Sequence, residues 1–213
     1  MMSRDLAGSA ARADDRRVSG VAVALVIDNK DPQGLGRVRL RFPALSDDEI
    51  GLWARIAVLM AGADRGTFFL PEVGDEVLVA FEHGDISRPY VLGGLWNGKD
   101  KPPETNADGK NNLRLVRSRS GHLIRLDDSD GAEKIEIIDK SGGNSVTIDT
   151  ASNAITITSA ADVTIDAPQG TLKLNAQKIE ITSSADIEIK AQANLTLEAS
   201  GNTTLKGALV NIN

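Results

Sequence analysis

The second half of the chain repeats a short pattern of paired aliphatic residues. In AQKIEITSSADIEIKAQANLTLEASG, residues 176–201, two aliphatic side chains flank one polar or charged residue, and the pair recurs every eight residues. Further upstream the spacing begins at eleven, with extra turn residues such as KSGGN, and then settles at seven to nine. Period-two alternation in short runs separated by small polar corners predicts β-strands. The pairs are Ile124/Leu126, Ile135/Ile137, Val146/Ile148, Ile155/Ile157, Val163/Ile165, Leu172/Leu174, Ile179/Ile181, Ile187/Ile189, Leu195/Leu197, Thr203/Leu205 and Val210/Ile212.

Residues 18–96 predict a different all-β unit, made of five or six short strands and no helix. In RVRLRF, Val38, Leu40 and Phe42 alternate with three arginines, which is typical of a half-buried strand. A series of short strands in so short a segment indicates a closed barrel of the oligonucleotide/oligosaccharide-binding (OB) type. The predicted strands cover residues 21–27, 37–42, 52–60, 67–70, 75–82 and 89–96.

The aromatic residues divide the chain into these two parts. All of them lie between Phe42 and Trp96, so only the first part has the bulky side chains for a thick core. The stretch NGKDKPPETNADGKNN, residues 97–112, has the prolines, glycines and asparagines of a linker. We therefore predict an N-terminal arm (1–17), an OB barrel (18–98), a linker or neck (99–119) and a repeat domain (120–213).

Composition excludes several classes of protein. The chain has no cysteine, so disulfides and thiolate metal sites are excluded. It has no apolar run long enough to span a membrane, and its arm lacks the apolar core of a secretory signal. The net charge of -6 argues against a nucleic-acid partner. The arginine face of residues 37–41 lacks interleaved aromatics for base stacking, which favours a solvated or protein-contacting face.

No catalytic, cofactor or metal site is predicted. GLGRV leads into a strand, whereas phosphate-binding glycine loops lead into a helix. His83 lies in a predicted turn with no second histidine nearby, and His122 is the only other histidine. The acidic run DDSDG, residues 127–131, departs from the EF-hand pattern because Leu126 stands where an acid is required. We interpret this run as a turn.

The repeat predicts an intertwined trimer rather than a single-chain solenoid. Aromatic stacking residues and the calcium-binding nonapeptide signature are absent, and ALVNIN at 208–213 is still in pattern where a solenoid needs a capping repeat. If three chains wind together, each layer takes one short strand from every chain, and the shared core is too narrow for aromatics. The predicted trimer core contains Ile155, Ile157, Val163, Ile165, Leu172, Leu174, Ile179, Ile181, Ile187, Ile189, Leu195, Leu197 and Leu205.

Three segments of the sequence resemble one family. DNKDPQGLGRVRLRFP (28–43), GTFFLPEVGDEVLVAFEHGDISRPYVLGGLWNG (66–98) and SGHLIRLDDSDGAEKIEI (120–137) are similar to the central spike proteins of contractile injection machines. These are the VgrG proteins of type VI secretion and the phage baseplate assembly protein V family. VgrG proteins carry a large hub domain before the barrel, and here about 17 residues precede it. The resemblance therefore implies the short form, with a separate hub protein.

The resemblance also implies a structural function without catalysis. The expected protein is a homotrimeric β-helix needle that docks on a hub, contacts the target membrane and pierces the envelope when a sheath contracts. It would be assembled in the cytoplasm as part of a phage tail-like particle. Arg37, Arg39 and Arg41 are candidate hub-docking residues. A PAAR-type tip protein would cover Leu209, Val210, Asn211, Ile212 and Asn213.

A different class of protein, a trimeric adhesin or receptor-binding fibre, is the alternative. It would need exposed aromatics or a recognition loop near the tip, and the sequence has neither. A β-helical polysaccharide lyase is disfavoured because the repeat lacks an obvious catalytic cluster. The sequence leaves open whether the machine is a phage, a tailocin, or a type VI or extracellular injection system.

Overall fold

A computed structural model describes residues 17–44 and 51–211 of the chain. The chain divides into two compact units, Met1–Ala160 and Ala161–Asn213. The strands of the described residues are β1 (Val21–Asp28), β2 (Val38–Arg41), β3 (Leu52–Ile56), β4 (Ala61–Gly62), β5 (Arg65–Gly66), β6 (Glu76–Phe81), β7 (Pro89–Leu95), β8 (Leu113–Arg117), β9 (Leu123–Asp127), β10 (Lys134–Ile138), β11 (Ser145–Asp149) and β12 (Ala154–Thr158).

The predicted all-β fold with an OB-type barrel is confirmed. Strands β1, β2, β3, β7 and β6 close into a barrel in that order. β3 and β7 run parallel, and the other neighbouring pairs are antiparallel. Closure leaves no free edge in this small sheet, so its backbone N–H and C=O groups are paired around the ring.

Strict alternation along the barrel strands produces the core. Val77, Val79 and Phe81 of β6 are buried, and Val38 and Leu40 of β2 are fully buried between exposed or half-buried arginines. The rings of Phe42 and Phe81 pack with centroids 5.4 Å apart. The remaining members of the buried core are Ala24, Val26, Ala54 and Val91.

The segment between β3 and β6 differs from the prediction. The strand expected over 52–60 ends at Ile56, and residues 67–70 form no strand. A short hairpin, β4–β5, lies between them, and Phe68 and Phe69 are exposed. Trp96 is exposed as well. Phe42 and Phe81 therefore belong to the barrel core, whereas these three aromatic residues do not.

Strands β8 to β12 form a five-stranded antiparallel sheet in which each strand pairs with the next. β8 lies within residues 99–119, which the sequence pattern assigned to a linker, so regular structure begins at Leu113. The expectation that each layer of a trimer takes one strand from every chain stays a prediction for this sheet. Here consecutive strands of one chain pair with each other.

The second unit, Ala161–Asn213, is described as far as residue 211. Its described residues contain no strand and no pairing between strands of the same chain. Every one of them is exposed. The β-helix expected for this stretch stays a prediction.

Candidate interaction surfaces

One face of the β8–β12 sheet is covered by unpartnered aliphatic side chains. Val116, Ile124, Ile137, Val146 and Ile157 stand opposite one another in successive strand pairs, forming one row across the sheet. All of these side chains are exposed. A contiguous apolar face of this kind marks a protein contact surface. We call it the aliphatic face; its second row is Leu126, Ile135, Ile148 and Ile155, also exposed.

The aliphatic face contains four of the sequence-predicted pairs, from Ile124/Leu126 to Ile155/Ile157. Its first strand contributes Val116, which the sequence analysis missed because Arg114 occupies the other aliphatic position. The alternation in LRLVR gives no signal for Val116, because Leu113 and Leu115 lie on the opposite face of β8. Of the predicted trimer-core residues, Ile155 and Ile157 belong to this face.

Aspartates organise the corners between these strands. The Asp139 carboxylate accepts hydrogen bonds from the Ser141 hydroxyl at 2.8 Å and from the Asn144 backbone N–H at 3.1 Å. These contacts, with the serine hydroxyl first, lower the pKa of Asp139 to about 2. Hydrogen bonds from Ser129 and Ser152 lower the pKa values of Asp127 and Asp149 in the same way. The acidic run 127–131 therefore begins a turn, as predicted.

The remaining predicted trimer-core residues lie in the second unit. They are exposed in the single chain, so each offers an apolar side chain with no partner from its own chain. Whether they face a common axis stays a prediction. These residues are Val163, Ile165, Leu172, Leu174, Ile179, Ile181, Ile187, Ile189, Leu195, Leu197 and Leu205.

The predicted tip residues are described in part. Leu209 is 78% exposed, Val210 is 49% exposed, and Asn211 is exposed. Ile212 and Asn213 lie outside the described residues, as does nearly all of the N-terminal arm.

The structure does not bring the three candidate hub-docking arginines to one free cationic surface. The Arg37 side chain is 19% exposed, and its Nη2 lies 2.8 Å from Asp31 Oδ1. Its guanidinium also lies 5.6 Å from the centroid of the Trp53 ring. The Arg39 Nε donates to the Gly51 carbonyl at 3.2 Å, and Arg41 is half-buried. Arg37 therefore has an internal role.

That internal role is to fix the loop between β1 and β2. Asp31 accepts hydrogen bonds from the Arg37 side chain and from the backbone N–H groups of Gln33, Leu35 and Arg37. The guanidinium is the largest cause of a strongly lowered pKa of Asp31, and the carboxylate correspondingly raises the pKa of Arg37.

The barrel carries an exposed apolar cluster that the sequence analysis missed. Leu35, Leu59, Met60, Phe68 and Phe69 are all exposed, and four of them line one groove of about 910 Å³. The signal was the pair of adjacent phenylalanines, since two neighbouring residues of a strand cannot both face one core. Such a cluster is typical of a protein contact surface.

His83 lies in a short 3-10 turn with a φ of 52°, in agreement with its prediction as a turn residue. His122 accepts a hydrogen bond at Nδ1 from the Lys140 backbone N–H at 3.3 Å. Within residues 17–44 and 51–211 no group of three His, Asp or Glu side chains is arranged to hold a metal ion. The same ranges contain no helix long and apolar enough to cross a membrane.

Comparison with known proteins agrees with the barrel topology. Residues 22–96 match the family described as the type VI secretion system/phage-baseplate injector OB domain. The barrel is therefore similar to an injector OB domain.

The match to individual proteins extends beyond the barrel. The chain is 30% identical over 135 residues to the type VI secretion system spike protein VgrG1a of Pseudomonas aeruginosa, covering 56% of this chain and 21% of that protein. It is 29% identical over 134 residues to the spike protein VgrG3 of Vibrio cholerae, covering 56% of this chain and 13% of that protein. The chain thus spans about a fifth or less of the length of these relatives. Over the matched residues the chain is similar to VgrG and baseplate spike proteins.

Proposed function

We propose that this chain is the homotrimeric central spike of a contractile injection machine. The observation that carries the proposal is the exposure of the aliphatic residues in the sheet and of those in the second unit, on a chain whose barrel matches an injector OB domain. In this proposal the barrel docks on a separate hub protein, and the repeat domain forms a needle that pierces the target envelope when the sheath contracts. The function is mechanical, and no reaction is catalysed.

The trimer follows from what the aliphatic side chains need. A lone sheet with one apolar face in water is unfavourable, because roughly 1.5–3 kcal/mol is gained for each aliphatic side chain that becomes buried. Three copies of the aliphatic face, turned toward a common axis, would cover one another. Antiparallel sheets commonly have one packed face and one solvated face, and here the second face is largely polar.

The second unit has a further reason to require partners. Its described residues contain no strand and no pairing between strands of the same chain. Strands contributed by two other copies would pair with its backbone N–H and C=O groups and bury the aliphatic pairs at the same time. A needle held together by hydrogen bonds between chains would transmit axial force without separating into single chains.

The two ends of the spike are proposed to bind other proteins. At the barrel end, Arg37, Arg39 and Arg41 remain candidate hub contacts, although Asp31 already neutralises Arg37. The exposed Phe68 and Phe69 offer apolar contact area on the same barrel. At the other end, a PAAR-type tip protein would cover residues 209–213. Assembly would take place in the cytoplasm, and membrane contact would be transient.

Light scattering on the purified chain tests the trimer directly. The expected mass is three times 22.6 kDa, or about 68 kDa. A folded monomer of 22.6 kDa would contradict the trimer and favour a single-chain solenoid. Co-purification from the producing cell tests the spike role, which requires association with a hub and a sheath.

A further inference from the structure

Four charged residues form a compact cluster on the polar face of the β8–β12 sheet. Arg125 and Asp127 lie on β9, and Lys134 and Glu136 lie on β10. Arg125 stands directly opposite Glu136, and Asp127 stands directly opposite Lys134, so each cross-strand pair joins opposite charges. We call these residues the charge quartet.

The charge quartet is partly removed from water. Glu136 is 7% exposed, and in the part of the chain that the structure describes it is the only buried charged residue. Arg125 donates to Glu136 Oε2 from Nε at 2.7 Å and from Nη2 as well. The Lys134 Nζ lies 3.6 Å from Glu136 Oε1. Cross-strand charges at such positions influence strand pairing, and burial strengthens them.

The aliphatic face on the other side of the sheet specifies the β9–β10 register only weakly. A slip of two residues keeps every side chain on its original face, because side chains alternate with a period of two. A slip in one direction places Ile137 opposite Leu126. A slip in the other direction places Ile135 opposite Ile124. Each slipped register therefore still keeps one aliphatic pair in contact across the strands.

The charge quartet distinguishes the native register from both slipped ones. The first slip places Glu136 opposite Asp127, and the second places Lys134 opposite Arg125. Both slips thus replace two opposite-charge pairs with one like-charge pair, and like charges directly opposite one another destabilise strand pairing. Opposition to wrong registers is the function that charges commonly serve in sheets.

We propose that the charge quartet selects the register of β9 against β10. The register determines which aliphatic residues stand side by side, so the quartet aligns the rows of the aliphatic face before any partner binds it. The inference concerns the folding of one chain, and it holds or fails independently of the proposed spike function.

Two single substitutions should shift the register in opposite directions. In Arg125→Glu, the native register gains a like-charge pair, whereas the second slip now sets the introduced glutamate opposite Lys134. In Glu136→Arg, the native register is again repulsive, but the first slip now sets the introduced arginine opposite Asp127. The neutral controls Arg125→Gln and Glu136→Gln remove the native attraction without creating an attraction in either slipped register.

Because the chain contains no cysteine, engineered cysteine pairs report the register without background. A pair at Ile124 and Ile137 traps the native register, a pair at Leu126 and Ile137 traps the first slip, and a pair at Ile124 and Ile135 traps the second. Mild oxidation of the full chain, non-reducing electrophoresis and peptide mass mapping distinguish disulfides within one chain from those between copies.

We expect Arg125→Glu to raise the yield of the second-slip disulfide roughly three- to tenfold over the parent. Glu136→Arg should raise the yield of the first-slip disulfide by a similar factor. Each glutamine control removes the like-charge pair of one slipped register but creates no attraction there, so it should raise that slip less than the matching charge reversal does. If both charge variants form only the native disulfide, or if both form the same slipped disulfide, the inference is wrong. The turns would then determine the register.

If either single variant fails to fold, the double variant Arg125→Glu with Glu136→Arg provides the test of the inference. It keeps opposite charges at this pair in the native register, yet both slips also become attractive. Its slipped disulfides should therefore rise at both reporter pairs. If the double variant forms only the native disulfide, as the parent does, the inference is wrong.

Discussion

Aspartate substitutions in the second unit test the proposed needle core most directly. Ile181 is 69% exposed and Ile189 is 64% exposed in the single chain, so neither contributes much burial energy there. In the proposed trimer, each side chain would be buried in all three copies. Ile181→Asp or Ile189→Asp would then forfeit roughly 1–2 kcal/mol of additional burial per chain, or about 3–6 kcal/mol per trimer. Unpaired burial of three carboxylates adds several kcal/mol for each charge.

The matched control lies one residue away. Glu180 is exposed and pairs with Lys178 on the polar side of the repeat, so Glu180→Gln should change stability by well under 1 kcal/mol. Thermal unfolding followed by circular dichroism, together with light scattering at each temperature, compares the variants. We expect the aspartate variants to lose the trimer at a lower temperature and the glutamine variant to match the parent. Equal behaviour of the two classes would mean that the facing of the repeat is assigned wrongly.

Three further predictions concern the barrel, the corners and the tip. Leu40→Ala should destabilise the barrel by about 2–5 kcal/mol in denaturant titration, because Leu40 is fully buried, whereas the exposed Leu59→Ala should be almost neutral. The folded pKa of Asp139 is lowered from 3.8 to about 2, so its stabilising contribution is present above pH 4 and lost as pH falls toward 2. Asp139→Asn should therefore show a smaller acid-induced loss of stability than the parent, and an identical pH profile would refute this. Deleting residues 206–213 should abolish tip-protein binding in a pull-down while leaving the number of chains in the oligomer unchanged; retained binding would place the contact elsewhere.

The barrel was the part of the fold most predictable from sequence, and the reason is visible in β2 and β6. Both strands alternate strictly, and the same alternation determines which side chains reach the core. The segment 57–70 lacks that constraint. Its hydrophobic residues indicated strands, but only Leu70 packs against the barrel core while Phe68 and Phe69 remain exposed. Hydrophobicity without alternation does not distinguish a core strand from an exposed contact segment.

Candidate contacts in the barrel were less predictable because they depend on loop geometry. The arginine alternation in RVRLRF identified a polar strand face correctly, with Arg39 exposed beside the buried Val38 and Leu40. It did not reveal that Asp31, six residues before Arg37, turns back to bind that guanidinium. Hydrogen bonds across a loop follow from its three-dimensional course, and a period-two pattern contains no information about that course.

The change of repeat length along the chain also has a physical reading, which supports the proposed needle. Each return turn of the β8–β12 sheet contains one residue with positive φ: Gly121, Gly131, Gly142 and Asn153. Such residues allow a strand to reverse and pair with its neighbour, because glycine and asparagine tolerate the left-handed region.

The described residues of the second unit contain no residue with positive φ. The corners between aliphatic pairs are also shorter in this unit. For example, one pair ends at Ile181 and is followed by Thr182, the next segment begins with Asp186 and Ile187, and only residues 183–185 lie between the two segments. A chain that turns such corners without left-handed residues is poorly suited to fold each strand back onto the previous one. In the proposed trimer, two further copies of the same repeat would supply strands of matching length and spacing as hydrogen-bond partners. The spacings of eleven, eleven and nine thus accompany strands that pair within one chain, and in the proposed needle the spacings of seven to nine in the second unit would accompany strands that pair between chains.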